Sequence, residues 1–280
     1  MDHRQGRASE HQDTISLAGA PSRVKLHLVD VHCHLDAKEF APDLQEVLER
    51  AKAAGVVSIL SNGTNPENNR RVLELSKEHP LIKPVLGFYP DDVVEQGMSA
   101  VQQELRFIEE HASQIAALGE VGLDLQHDAD PDHFRMMKET LILFARLSRK
   151  IGKPLIVHSR KAEEETIELL ETEQAKKVVF HCFGGKRKLA SRIIKNGWYL
   201  SIPANINRSQ QFQEFVRECP LSQLLTETDA PFLSPRGPGT RSEPGDVLET
   251  IKKIAAIKEM TPEETANQLY MNYQRLFAPF

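Results

Sequence analysis

The sequence has little cysteine and no long apolar run. Its three cysteines, Cys33, Cys182 and Cys219, are too few and odd in number for a disulfide framework, and they favour a reducing compartment. No apolar stretch approaches the ~20 residues that cross a bilayer. The polar residues 1–23 lack the apolar core of a secretory signal, and we expect them to form a disordered tail. These features predict a cytoplasmic protein.

The chain also lacks an excess of positive charge. It has 35 Lys and Arg against 40 Asp and Glu, which gives a net charge of −5. A protein that holds long nucleic acid by its backbone usually carries a basic surface. If the substrate is a phosphodiester, its contacts must therefore be local to the site, and short or single-stranded substrates are favoured over long duplexes.

No Gly-x-Gly-x-x-Gly follows the first apolar run, which disfavours a dinucleotide-binding fold. What the chain does contain is a regular alternation of short apolar runs with amphipathic stretches. The apolar runs are residues 25–32, 56–61, 82–88, 115–121, 154–158, 177–181, 197–202 and 224–228. Eight such units predict a single (β/α)8 TIM barrel over residues 24–280, since a barrel of this type takes ~250 residues. An open, doubly wound sheet is the alternative.

The first of these runs ends in two histidines separated by one residue. Side chains at alternate positions of a strand point to the same side, so Asp30, His32 and His34 are expected to share a face. Imidazole is a ligand for zinc, iron, nickel and copper. Two imidazoles fixed on one strand would form half of a metal site.

Further metal-ligand residues lie at the carboxyl ends of other predicted strands. They are Glu120 at the end of the fourth strand, His158 at the end of the fifth, His181 at the end of the sixth and Asp229 directly after the eighth. In a barrel these ends meet at one mouth, where active sites of this architecture lie. Six ligands exceed the needs of one tetrahedral ion and suit two divalent ions that share a carboxylate. Glu120, central in strand order, is the candidate bridge.

These motifs together resemble the TatD family of metal-dependent deoxyribonucleases, which are amidohydrolase-type barrels. The resemblance covers residues 28–277 and rests on Asp30-x-His32-x-His34, Gly119-Glu120-x-Gly122-Leu123-Asp124, His158-Ser159-Arg160, His181-Cys182-Phe183-Gly184-Gly185 and Glu227-Thr228-Asp229-Ala230-Pro231. Each motif is weak alone, but all of them in this order are specific. The resemblance implies hydrolysis of DNA phosphodiesters with 3′-to-5′ exonuclease action, and a DNA partner that is single-stranded or presents a 3′ end.

The resemblance also implies the ligand sets. One ion would be held by His32, His34, Glu120 and Asp229, and a second by Glu120, His158 and His181. Asp229 and Glu120 are the predicted catalytic residues, with Asp229 able to accept the proton of the attacking water. Zinc, manganese and magnesium all remain possible.

Four residues are predicted to contact the substrate. Arg160 and Arg241 could bind phosphate through their guanidinium groups, with Glu243 orienting Arg241. The family usually has Gly-x-His-Pro after the third strand, but this chain has Gly87-Phe88-Tyr89-Pro90. Tyr89 can donate a hydrogen bond but cannot carry a positive charge. The family's Arg-Asn-Glu-Pro is likewise replaced by Arg241-Ser242-Glu243-Pro244.

Two other functions remain open at this point. A related barrel hydrolase could cleave a C–N or ester bond of a small molecule. Such enzymes often carry a carboxylated lysine at the end of the fourth strand, where this chain has Glu120. A metal-binding protein without catalytic activity is the third possibility, and the departure at Tyr89 is its main support.

Overall fold

A computed structural model describes residues 26–126 and 130–278. Within these ranges eight strands form one parallel sheet in sequential order, β1 to β8. The strands are Leu28–Cys33, Val56–Asn62, Ile82–Phe88, Ala117–Asp124, Leu155–Arg160, Val178–Phe180, Tyr199–Ile202 and Leu224–Thr226. The predicted (β/α)8 barrel is therefore confirmed. The tail predicted for residues 1–23 lies outside the described residues, and the single-domain boundaries stay a prediction.

The first and last strands meet through side chains and the loop after β8. The Thr226 hydroxyl donates a hydrogen bond to the Val29 carbonyl at 2.6 Å. The Asp229 amide donates to the His32 carbonyl at 2.9 Å. Asp30 is buried, and it accepts hydrogen bonds from both the amide and the hydroxyl of Thr228. These contacts nearly close the barrel and fix the end of β1 against the loop that carries Asp229.

Helices alternate with the strands, as the sequence predicts. In the described ranges the α-helices α1 to α9 are Leu44–Ala54, Pro66–Glu78, Pro90–Glu110, Pro131–Ile151, Glu163–Thr172, Arg187–Lys195, Gln210–Glu218, Val247–Lys258 and Pro262–Phe277. The spacing of Val101, Leu105 and Ile108 predicts a third helix over residues 99–112. This start is wrong, because the helix begins at Pro90. The helix begins at Pro90 because proline is favoured in the first turn of a helix. The backbone is non-helical at Gly97, where φ is 79°, and this break interrupts the helical pattern of the sequence.

The main hydrophobic core lies between the sheet and the surrounding helices, and the strands are almost wholly buried. A second cluster joins Val31, Val85 and Ile156 to Leu276 and Phe277 of α9. The C-terminal helix thus packs against the barrel strands, and its Tyr273 hydroxyl lies 2.9 Å from that of Ser58. Among the described helices none is both long enough and apolar enough to span a membrane.

The fourth and fifth strands extend further than predicted. β4 runs to Asp124 and β5 runs to Arg160, so Glu120 and His158 lie inside their strands rather than at the carboxyl ends. Gly122 permits this close pairing, because a Cβ there would lie 1.8 Å from the His158 carbonyl oxygen. Two predicted ligands are therefore held by sheet hydrogen bonds as well as by their own contacts.

Candidate metal centre

Glu120 lies at the centre of the cluster, with its two carboxylate oxygens facing different histidines. Oε1 is 2.9 Å from His158 Nδ1 and 2.8 Å from His181 Nε2. Oε2 is 3.4 Å from His32 Nε2 and 3.6 Å from His34 Nε2. His34 is partly exposed, and the other four side chains are buried. One carboxylate therefore contacts two pairs of imidazoles.

Asp229 completes the side of the cluster formed by β1. Its Oδ1 lies 3.5 Å from the Nε2 atoms of both His32 and His34. Its backbone has a φ of 55°, and the amide hydrogen bond to His32 holds that turn in place. The Asp229 side chain is 16% exposed, which leaves it open to a molecule in the barrel mouth.

The donor set fits divalent metal ions. His32 Nε2 and His34 Nε2 are 3.2 Å apart, and His158 Nδ1 and His181 Nε2 are 3.1 Å apart. Imidazole nitrogens that converge this closely beside carboxylates are typical of ligands to a shared cation. Three overlapping groups place their ligand atoms within 4.8 Å: His32, His34 and Glu120; His32, His181 and Asp229; and Glu120, His158 and His181. All six predicted ligands belong to these groups.

The surrounding charges favour the ionised forms of Glu120 and Asp229, which are the forms that bind metal ions. Burial alone would raise the pKa of Glu120, but His181 and His32 hold it well below its usual value. The pKa of Asp229 is likewise lowered, because contacts with His34 and His32 outweigh the effect of burial. Both groups therefore stay ionised, as metal ligation requires.

His32 in β1 and His34 directly after β1 differ in the direction of their pKa shifts. Burial and the nearby His181 lower the pKa of His32 to about 4. Burial also opposes the charged form of His34, but Asp229 and Glu120 raise its pKa to about 9. A cation at this position would replace the proton that His34 carries in the metal-free cluster.

Outer contacts decide which ring nitrogen each histidine presents. His158 Nε2 lies 2.9 Å from Asp124 Oδ2, which leaves Nδ1 toward Glu120. His34 Nδ1 lies 2.9 Å from the Asn62 carbonyl, which leaves Nε2 toward the cluster. Ligand histidines in proteins commonly have such a partner on the second nitrogen.

Glu227 is a buried carboxylate to which the sequence assigned no role. It accepts hydrogen bonds from the Cys182 amide at 2.9 Å and the Ser201 hydroxyl at 2.5 Å, and it lies 3.9 Å from His181 Nδ1. Its place in the Glu227-Thr228-Asp229-Ala230-Pro231 motif, two residues before a predicted ligand, was the available signal.

A cavity of about 600 Å³ opens above the cluster. Tyr89 and Arg160 line it, as predicted for substrate contacts. The Tyr89 hydroxyl donates a hydrogen bond to Asp124 Oδ2 at 3.2 Å, and burial raises its pKa above the usual value, so it remains a donor. Arg160 is 50% exposed and reaches within 3.7 Å of Asp124. Both residues are therefore within reach of a molecule bound at the cluster.

The structure does not bring Arg241 and Glu243 into this cavity. Arg241 lines a neighbouring cavity, and its guanidinium contacts both carboxylate oxygens of Asp43 at 2.7 Å. It also donates hydrogen bonds to Glu243 at 2.8 Å and to the Glu39 carbonyl at 2.7 Å. Glu243 contacts Arg241, as the sequence suggested, but it also pairs with Arg50 at 2.8 Å. A phosphate would have to compete with these ion pairs.

Comparisons with known proteins show which family this chain resembles. A family model described as TatD related DNase matches residues 29–278. An uncharacterized metal-dependent hydrolase of Bacillus subtilis, YabD, is 35% identical over 257 residues, with 89% of this chain and 98% of that protein covered. The human deoxyribonuclease TATDN3 is 33% identical over 259 residues, with 89% and 94% covered. The crystal structure of the Escherichia coli TatD homologue YjjV superposes with a TM-score of 0.83 at 27% identity, over 89% of this chain and 97% of that one.

Proposed function

The chain belongs to the TatD-related DNase family of metal-dependent hydrolases, and we propose that it is a deoxyribonuclease that hydrolyses DNA phosphodiester bonds with two divalent ions. We further propose that it acts as an exonuclease from the 3′ end of single-stranded DNA. A cytoplasmic site of action fits its three free cysteines, two of which are buried.

The two-ion proposal rests on one observation: the two carboxylate oxygens of Glu120 face different pairs of histidines. Its Oε2 faces His32 and His34, together with Asp229 on the same side, whereas Oε1 faces His158 and His181. A carboxylate with one oxygen on each of two histidine pairs is suited to bridge two cations. The ligand sets are then those that the family resemblance implies.

In such sites, paired divalent ions lower the pKa of a water molecule and stabilise the attacking and leaving oxygens of a phosphodiester. The protein side chains supply the remaining steps. Asp229, partly exposed and ionised, is placed to accept a proton from the attacking water at Oδ1 or Oδ2. Arg160 can bind a phosphate oxygen from the cavity wall, and the Tyr89 hydroxyl can donate a hydrogen bond to it.

The proposal is tested with single-stranded DNA labelled at the 3′ or the 5′ end, in the presence of Mg²⁺, Mn²⁺ or Zn²⁺. We expect release of the 3′ label as mononucleotide, and loss of activity in Glu120→Ala or on addition of chelator. Elemental analysis should give about two ions per chain for the wild type and fewer for the variant. A wild type that binds metal but cleaves no phosphodiester would contradict the proposal and favour a small-molecule hydrolase.

A further inference from the structure

The loop after β8 separates two cavities. Phe232 and Leu233 line both the cavity above the metal centre and a second cavity of about 560 Å³. The rest of the second cavity is formed by the loop itself, by Asn205 and Arg208 of the short helical turn Ala204–Arg208, and by Glu39. The two cavities therefore adjoin each other at Phe232 and Leu233.

Phe232 is unusually exposed for an aromatic side chain. It is 60% exposed, and among the described large hydrophobic residues only Met271, at 52%, is similarly open. Its ring centroid lies 6.3 Å from that of His34. A single exposed hydrophobic residue is common on protein surfaces, so exposure alone assigns no role. The location between two cavities, beside a metal ligand, is the observation that distinguishes Phe232.

The backbone that carries Phe232 is held in place. The Phe232 amide donates to the Asp229 carbonyl at 2.8 Å, and the Ser242 amide donates to the Pro231 carbonyl at 2.9 Å. The His34 amide donates to the Ala230 carbonyl at 2.7 Å. The Phe232 ring therefore extends from a backbone segment that is held in place by hydrogen bonds, one of them to His34 next to β1. A fixed backbone of this kind suits a side chain on which a base stacks.

The second cavity also offers polar groups. Arg208 is exposed, donates from Nη2 to the Ser234 carbonyl at 2.9 Å, and forms no ion pair with a carboxylate of the described residues. The Asn205 Oδ1 atom is buried and has no hydrogen-bond partner in the described part of the chain. Glu39 is the one acidic residue in the cavity wall. The remaining N–H groups of the Arg208 guanidinium can bind a phosphate, and the Asn205 amide can form a hydrogen bond with the polar edge of a base.

We propose that the second cavity binds the nucleotide adjoining the cleaved bond, with its base stacked on Phe232 and a phosphate at Arg208. This inference rests on the proposed function and specifies its substrate as unpaired nucleic acid longer than one nucleotide. An exposed ring can stack on a base only if that base has left its neighbour in a duplex. Arg241 also lines this cavity but is paired with Asp43, which leaves Arg208 as the cation of the wall without a carboxylate partner among the residues that the structure describes. Such a local positive charge also suits a chain whose net charge is −5.

The test compares two substrates that differ in length. Thymidine 5′-(p-nitrophenyl phosphate) presents one nucleotide, and single-stranded hexathymidylate presents several. We expect the wild type to have a lower KM for the hexamer. Phe232→Ala should reduce that preference about tenfold, since one base stacked on an aromatic ring is worth about that much. Phe232→Tyr should restore it, and Met271→Ala, which exposes a similar hydrophobic area on α9, should match the wild type.

Arg208→Gln provides a second arm of the test. The substitution should weaken binding of the hexamer. In a plot of the logarithm of the association constant against the logarithm of the salt concentration, the slope should become smaller in magnitude by about one. An equal ratio of KM values in the wild type and Phe232→Ala would overturn the inference and leave the deoxyribonuclease proposal intact.

A binding measurement separates the inference from the proposed function. If the wild type hydrolyses neither substrate, the proposed function fails. Fluorescence anisotropy of labelled hexathymidylate in chelator then decides the inference by itself. Weaker binding by Phe232→Ala, by about tenfold, supports the stacking site, and equal binding by the two proteins overturns it.

Discussion

Asp124 Oδ2 contacts His158 Nε2 at 2.9 Å and also accepts the Tyr89 hydroxyl hydrogen bond at 3.2 Å. The contact determines that His158 presents Nδ1 to Glu120, and the two rings of Tyr89 and His158 pack edge to face with centroids 5.0 Å apart. Burial opposes the ionised form of Asp124, but His158 lowers its pKa below the usual value. Asp124 is therefore an anionic partner that orients one ligand histidine.

Replacing Asp124 by Asn should weaken metal binding at the His158 side of the cluster. The amide keeps the size of the side chain but loses the charge that orients the imidazole. Loss of such an outer partner typically costs about 10- to 100-fold in metal affinity. Calorimetric titration with Zn²⁺ or Mn²⁺ measures the effect, and Asp132→Asn, at an exposed ion pair on α4, is the matched control. Equal affinities in the two variants would contradict an orienting role for Asp124.

Substitution of Tyr89 tests the departure from the usual family motif. Tyr89→His places a side chain that can carry positive charge at the wall of the metal cavity. A hydrogen bond to a charged group is worth roughly 1 kcal/mol more than a neutral one, so kcat/KM for a DNA phosphodiester should rise about fivefold. Tyr89→Phe, which removes the hydroxyl and keeps the ring, should lower it. A Tyr89→His enzyme no faster than Tyr89→Phe would show that charge at this position is unimportant.

The barrel and the metal cluster could be predicted from the sequence because both follow a local repeat. Apolar strands end in ligand residues, and parallel strands of a barrel place those ends at one mouth. His32, Glu120 and Asp229 lie on different strands or loops, yet the repeat alone predicts their convergence. The same reasoning could not give the division of the Glu120 oxygens between two histidine pairs, because that depends on side-chain rotamers and outer partners.

Contacts between loops that are distant along the chain could not be predicted from the sequence. Arg241 is a candidate for phosphate binding or for a surface salt bridge from its sequence alone, and in the structure Asp43, which lies 198 residues earlier, pairs with it through both oxygens. Nothing in the local pattern of either segment indicates this pairing. Phe232 was likewise missed, because an aromatic residue after a strand usually reports core packing. The exposure of its ring and its position between the two cavities indicate a role in binding, and neither can be predicted from the sequence.

The ion pair between Arg241 and Asp43 leads to a prediction about loop order. If Arg241 mainly ties the loop after β8 to the start of α1, then Arg241→Ala and Asp43→Ala should raise amide hydrogen exchange in residues 231–243 alike. The double variant should add little to either, since groups in one contact are not independent. Kinetics supply the second readout. If Arg241 binds phosphate, Arg241→Ala should raise KM for DNA, whereas Asp43→Ala should not.

Removal of metal should lower thermal stability in a way that depends on Glu120. A ligand that binds only the folded state stabilises it by about 2.7 kcal/mol when present at 100 times its Kd. For a chain of this size, that corresponds to a rise of about 5–10 °C in Tm. Thermal unfolding should therefore show this rise when Zn²⁺ or Mn²⁺ is added to protein treated with chelator. Glu120→Gln removes the charge of the carboxylate between the histidine pairs and should lose most of the rise, while Asp132→Asn should keep it. A rise of equal size in Glu120→Gln would mean that the ions bind elsewhere and that the carboxylate between the histidine pairs is not their bridge.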